Sequence, residues 1–245
     1  MDARETVKTT MRRAGLDSTV DWLQQNWPNR TMFRERRDNR QAVVVMASRL
    51  RADSNAIDVG AHAGDFLRNI VRCAPQGHHV AFEPLPVFHD SLRREFPQVE
   101  HHACALSDAA GRTTFNYVPS APGFSGMRRR DYPGNPAVEQ IDVELRRLDD
   151  VVDPERPVDL LKIDVEGAEL QVLHGAARLL AHSRPAVLLE HGTAAHAYGT
   201  KPGQIWDCFE AAGLRVFDLD GDGPFTRSQF EARVDAGRTW NWLAA

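Results

Sequence analysis

From Ala56 onward, short apolar runs alternate with helix-length amphipathic stretches, and no other feature constrains the fold as much. The runs are "AIDV", "HVAFE", "HHACAL", "DLLKID" and "AVLLEH". Between them lie "GDFLRNIVRCA", "PVFHDSLRREF" and "EGAELQVLHGAARLLA", each read as a helix. The last is the clearest, because Val172, Leu173, Ala176, Leu179 and Leu180 recur at helical spacing and make one apolar stripe. Strands that alternate with helices in this way predict an α/β fold: a mostly parallel sheet with helices on both faces. A helix over 203–212 and two closing strands, "LRVFDL" and "TWNWLA", complete the series. A chain of 245 residues is ample for the core such a fold requires.

Residues 1–50 read as an N-terminal helical extension of the same domain, with Trp22, Trp27 and Phe33 as anchors, and residues 51–245 as its main body. One section breaks the alternation. "GRTTFNYV" and "AVEQIDVELRRL" read as extra strands that flank an inserted loop at about 119–136. That loop is rich in Pro and Gly and carries Arg128, Arg129 and Arg130. A loop of this length is either a lid or binding loop, or a solvated excursion. The net charge of −4 gives no electrostatic reason to expect nucleic acid. The N-terminal stretch lacks the apolar centre of a signal peptide, and the run from Ala42 is too short to span a bilayer. Cys73, Cys104 and Cys208 are isolated, which fits a reducing compartment. The expectation is a cytoplasmic protein without membrane insertion.

The strand ends carry the chemistry. "AIDVGAHAGDF" puts Asp58 at the end of the first strand, before Gly60 and Gly64. Glycines in such a turn allow tight backbone geometry and close approach of a ligand. A dinucleotide fingerprint needs G-x-G-x-x-G, and His62 stands where its second glycine would be, which disfavours a dehydrogenase. An acid at this point suits a positively charged ligand group. The second strand ends in Glu83 and Pro84, and an acid there is placed to accept hydrogen bonds from a ribose diol. The third leads to Ser107 and Asp108, where a base edge could lie. The fourth ends in Asp164 and the fifth in Glu190 and His191.

Taken in order, "DVGAHAG", "FEP", "ALSD", "LKIDVEGAE", "VLHGA" and "VLLEHG" resemble the FkbM family within the class I S-adenosylmethionine-dependent methyltransferases. The resemblance covers about residues 55 to 192 and is most specific in "KIDVEGAE". It implies a Rossmann-like, seven-stranded sheet of order 3-2-1-4-5-7-6, with ligands at the switch point beside the first strand. It also implies S-adenosylmethionine held by Asp58, Gly60, Ala61, His62, Gly64, Glu83, Pro84, Ser107, Asp108 and Asp164. Many members carry Asn where this chain has His62, so the contact at that position is its own. The implied reaction is O-methylation of a small-molecule hydroxyl on a sugar, polyketide or other specialised metabolite. N-methylation of a small amine or peptide group, and a binding or scaffold protein without turnover, are the alternatives.

Methyl transfer to a hydroxyl needs an acceptor oxygen held in line and a base for its proton. The candidates are Asp164, Glu166 and His191. Asp164 and Glu190 also resemble carboxylates that hold magnesium in metal-dependent relatives, so Mg2+ between them is a further expectation. Plainer roles compete. Glu169 falls in the first turn of a helix, where an acid is favoured by the helix dipole. Lys162, two residues before Asp164 on the same strand face, reads as a counter-charge for a buried acid. Gly167 and Gly175 read as packing glycines. His174 reads as a packing residue, and the pairs His78–His79 and His101–His102 as surface or strand-end residues. His196 and Tyr198 are possible substrate contacts. "DLDGDGPFTRSQFE" matches half of a calcium loop, but Gln229 stands where a bidentate Glu is required, and a turn is the better reading.

Overall fold

Val, Ile and Leu on both faces of a strand require cover on both sides, and the fold supplies it. The computed structural model of the protein describes residues 30–129, 136–237 and 239–245. Trp22, Trp27 and Arg130 lie outside the described residues, as does the Phe33 side chain. Two compact units divide after Arg40. Helix α1 spans Arg30–Arg49, and its residues from Gln41 on belong to the unit 41–245.

In chain order there follow β1 (Ala56–Val59), α2 (Asp65–Cys73), β2 (His79–Phe82), α3 (Pro86–Glu95), β3 (Glu100–His102), β4 (Cys104–Leu106), β5 (Gly111–Tyr117) and β6 (Glu139–Arg146). Then come α4 (Leu148–Val151), β7 (Leu160–Ile163), α5 (Glu169–Gly175), α6 (Ala177–Ser183), β8 (Ala186–Glu190), a 3-10 turn (Thr193–Tyr198), α7 (Pro202–Ala211), β9 (Val216–Asp218), α8 (Arg227–Asp235) and β10 (Asn241–Ala244). The main sheet has the order β3-β2-β1-β7-β8-β10-β9. Counted within this sheet alone, that is 3-2-1-4-5-7-6, as the resemblance implies. The first five strands are parallel, and β10 runs antiparallel to β8 and β9.

Strand alternation divides the core. Ile57, Val59, Leu161, Ile163, Val187 and Leu189 pack with Val172, Leu173, Leu180, Ile205 and Phe209. Ala56, Leu160, Ala186 and Leu188 turn the other way, to Ala42, Met46, Leu50, Ile70 and Ala74.

Three expectations are corrected. "HHACAL" is not one strand: β3 joins the main sheet, and β4 leaves it for a separate sheet of order β4-β6-β5. The extra strands around the insertion thus have their own sheet, closed by the β5–β6 antiparallel pairing from Gly111–Leu145 to Tyr117–Glu139. The long helix after β7 breaks at Ala176 into α5 and α6. Gly175 lies so close to the Ser107 carbonyl that a Cβ would collide with it. The start of α6 is capped from a distance, since Asp149 accepts from the Arg178 and Leu179 amides at 2.8 and 2.9 Å. Finally, α8 follows the Asp/Gly turn unforeseen. Its Thr226–Gln229 capping box was visible in the sequence, and Gln229 belongs to that box rather than to a calcium loop. The Asp218 carboxylate accepts from the amides of Asp220 and Asp222, as an Asp turn does.

The histidines also move. His79 is buried, with Nε2 2.7 Å from the Ala74 carbonyl, while His174 is exposed rather than packed. Among the described residues no helix is long and apolar enough to cross a membrane.

Candidate active site

The carboxyl ends of β1, β2, β7 and β8 point the same way, and the acids foreseen at strand ends gather there. The register pairs Asp58 with Lys162. Both sit on the sheet face otherwise filled by Ala56, Leu160 and Leu188. Asp58 is fully buried, and Lys162 Nζ lies 3.1 Å from its carboxylate and 3.7 Å from that of Asp164. Lys162 also donates to the Gly60 carbonyl at 2.6 Å, and its charge sits over the Phe66 ring, 5.3 Å from the centroid. Burial pushes the Asp58 carboxyl up, with Lys162 working against that. For Lys162 burial pulls down, but Asp58 and Asp164 outweigh it and hold the ammonium above its ordinary value. The counter-charge reading of Lys162 therefore fits. Asp58 reaches the glycine turn through Lys162, not by opening onto a ligand.

The turn itself is narrow. Gly60 has φ +75°, and a Cβ there would collide with the Asp164 carbonyl. Gly64 has φ +83° and would press on Leu92 and Phe96. Gly60 and Ala61 both donate to the Phe82 carbonyl. His62 is itself left-handed at φ 46°, and its ring rests on Phe88 with centroids 4.0 Å apart. Glu83 is buried beside it. One of its oxygens accepts from the His62 amide at 2.8 Å and the other from the Leu85 amide at 2.9 Å. Burial raises its pKa to about 7, with the two amides holding it lower than burial alone would. Pro84 follows, half-buried. At the end of β4, the buried Ser107 donates to the exposed Asp108 at 3.1 Å.

These features fit S-adenosylmethionine. The glycine turn brings backbone close to whatever lies above it. Each Glu83 oxygen keeps a lone pair that a ribose hydroxyl can donate to.

Asp164 keeps 31 % of its side chain accessible at the end of β7. Glu190, at the end of β8, opens to solvent on one side. The loss of water around the rest of its carboxyl, then the charges of Asp164 and Glu166, push its pKa well above the ordinary carboxylate range. A recess beside them is walled by Phe66, Leu188, Leu219, Asn241 and Trp242. Magnesium fits this corner poorly. Lys162 already supplies a cation to Asp164, and among the described residues no group of three or more His, Cys, Asp and Glu could hold a metal.

The remaining candidates part company. His191 is buried, with Nδ1 3.2 Å from the equally buried Glu169. It faces Glu169 and Phe230 rather than an open pocket. Glu169, read from sequence as a helix-start acid, is thus a buried partner. Glu166 lies half-buried at φ 57°. The described part of the insertion comes back to this corner. Gly126 bridges to Asn116, and the Tyr198 hydroxyl accepts from the Arg128 amide at 3.2 Å. His196 is exposed. Phe66 and Phe88 had no sequence signal, since an aromatic in an amphipathic helix reads as core.

Residues 58–216 match the family model described as the methyltransferase FkbM domain. Methyltransferase sdnD of Sordaria araneosa is 36 % identical over 153 residues, covering 49 % of this chain and 59 % of that protein. The AMB antimetabolite synthetase AmbE of Pseudomonas aeruginosa is 34 % identical over 207 residues, covering 68 % of this chain and 10 % of that one. The chain thus spans less than two thirds of the length of these relatives. Among solved structures, a precorrin-6y C5,15-methyltransferase of Geobacter metallireducens aligns with a TM-score of 0.42 at 17 % identity, covering 72 % of this chain and 73 % of the other. The family match spans most of the main sheet and its strand-end acids, and the chain belongs to the FkbM family of methyltransferases.

Proposed function

We propose that the protein is an S-adenosylmethionine-dependent O-methyltransferase acting on a hydroxyl of a sugar, polyketide or other specialised metabolite. The observation that supports this best is the placement of Glu190 beside Asp164 at the open ends of β8 and β7, where lost water and neighbouring acids raise its pKa and so make its carboxylate the stronger base. A hydroxyl attacks well only as its proton leaves, and a carboxyl with a raised pKa takes a proton more readily than an ordinary carboxylate.

When bound, S-adenosylmethionine supplies a methyl group activated by its sulfonium. Glu83 holds the ribose diol, the turn from Gly60 to Gly64 gives close backbone approach, and Ser107 and Asp108 meet the adenine edge. Lys162 lies 3.7 Å from the Asp164 carboxylate and holds the glycine turn in place through its bond to the Gly60 carbonyl. Asp164 orients the acceptor, and Glu190 takes its proton. Phe66, Leu188 and Leu219 keep water from that side of the recess.

Calorimetry with S-adenosylmethionine, followed by mass spectrometry of panels of small hydroxyl and amine compounds, tests this. Binding and methylated hydroxyls are expected, with turnover in Glu190→Gln falling roughly a hundredfold or more. Methylation of amines alone would replace the reading with N-methylation. Binding without turnover on either panel would favour a scaffold, and no binding would sink the enzyme readings together.

A further inference from the structure

The chain leaves β7 through two consecutive left-handed residues, Glu166 at φ 57° and Gly167 at φ 111°. A glycine adopts this freely, whereas a glutamate is strained there and stays only where its surroundings insist. Gly167 is hemmed in: a Cβ would come within 2.7 Å of the Ala194 carbonyl and 2.8 Å of the Tyr198 ring. Its amide donates to Glu169 Oε1 at 2.6 Å. The other oxygen of the same carboxylate, Oε2, lies 3.2 Å from His191 Nδ1.

His191 is a fixed anchor. Its amide donates to the Trp240 carbonyl at 2.6 Å, its carbonyl accepts from Trp242 Nε1 at 3.2 Å, and its ring lies nearly parallel to that of Phe230, with centroids 6.5 Å apart. Glu169 and His191 are 2 % and 1 % exposed. An acid that served only the helix dipole would sit in solvent at the helix start. This one is buried and bonded at both oxygens, one to the strained turn and one to the wall formed by β8 and β10.

We propose that Glu169 is a positioning residue that holds Glu166 in its left-handed turn at the acceptor end of the site, with His191 as the anchor. The proposal rests on the methyltransferase reading above. In it Glu169 touches neither cofactor nor acceptor and acts through Glu166.

Two measurements on the full chain test it. Hydrogen exchange at the Gly167 amide reads the clamp directly. In Glu169→Ala, exchange there should accelerate at least about tenfold. Glu169→Gln, which keeps an accepting oxygen, should restore most of the protection. Glu169→Asp, too short to reach both partners, serves if the alanine variant does not fold and should lose the protection as well.

The second reading is the ratio of affinities for S-adenosylmethionine and S-adenosylhomocysteine. Only the first carries the sulfonium charge, so the ratio reports the negative field at the methyl position. Glu169→Ala should lower it about fivefold. Glu166→Gln should lower it equally, and the double variant no further. Unchanged Gly167 protection in the alanine and aspartate variants would overturn the proposal, and so would equal losses for the two ligands. If the unaltered protein binds neither ligand, the methyltransferase reading fails, and Gly167 exchange still decides whether the clamp exists.

Discussion

Glu83 shows how one buried residue ties stability to pH. Its carboxyl is buried against two amides, and burial raises its pKa from 4.5 to about 7. An acid whose folded pKa is raised stabilises the fold fully below its unfolded value. That contribution is lost as pH rises through the folded value. At about 1.4 kcal/mol per unit, the shift is worth of the order of 3 kcal/mol. Glu83→Gln should therefore melt higher than the unaltered protein at pH 8–9, and the gap should shrink toward pH 5. Thermal melts across that range check it, and a gap that widens on acidification would contradict it. The acids at positions 58, 83, 164 and 190 were legible in the sequence as strand-end residues. Their states were not. Asp58 and Lys162 are 104 residues apart, and whether they meet depends on which strands become neighbours. For the same reason Glu169 read as an ordinary helix start: its partner His191 lies beyond two helices and a strand.

At the scale of elements, apolar periodicity located the helix after β7 but could not foresee its division. Val172, Leu173, Ala176, Leu179 and Leu180 all face the core, as their spacing predicts. The break at Ala176 comes from outside that segment, through the backbone contact at Gly175 and the cap from Asp149. Asp149 satisfies two amides that the start of α6 would otherwise leave unbonded. Asp149→Ala should cost about 1–2 kcal/mol. For a domain of this size that lowers the melting temperature by about 2–8 °C. Asp149→Asn, which keeps one accepting oxygen, should cost less. Equal melting points for all three proteins would show that the cap contributes nothing.

At the scale of the whole molecule, the insertion matters most. The sequence left residues 119–136 open between a functional loop and a solvated one. The part described up to Arg129 returns to the corner formed by Glu166 and Tyr198. Gly126 lies next to Tyr198 and the Glu166 carbonyl, and the Tyr198 hydroxyl receives the Arg128 amide. Tyr198→Phe should remove that bond, worth about 1 kcal/mol, and speed exchange at the Arg128 amide about fivefold. Affinity for S-adenosylhomocysteine should be unchanged, because the glycine turn and Glu83 lie on other strands. A fall in that affinity would mean that the insertion supports the cofactor side as well.

The alternation of apolar runs and amphipathic stretches, with acids at the ends of the runs, determined the sheet and the end of it where those acids gather. Both follow from local rules: side chains alternate along a strand, and helices need an apolar stripe. Tertiary structure alone decided which acids are buried, paired or open. It sealed Asp58 behind Lys162, enclosed His191 with Glu169, and left Asp164 and Glu190 at the recess. The cost of burying a charge depends on what surrounds it in space, and those surroundings come from segments far apart in the chain.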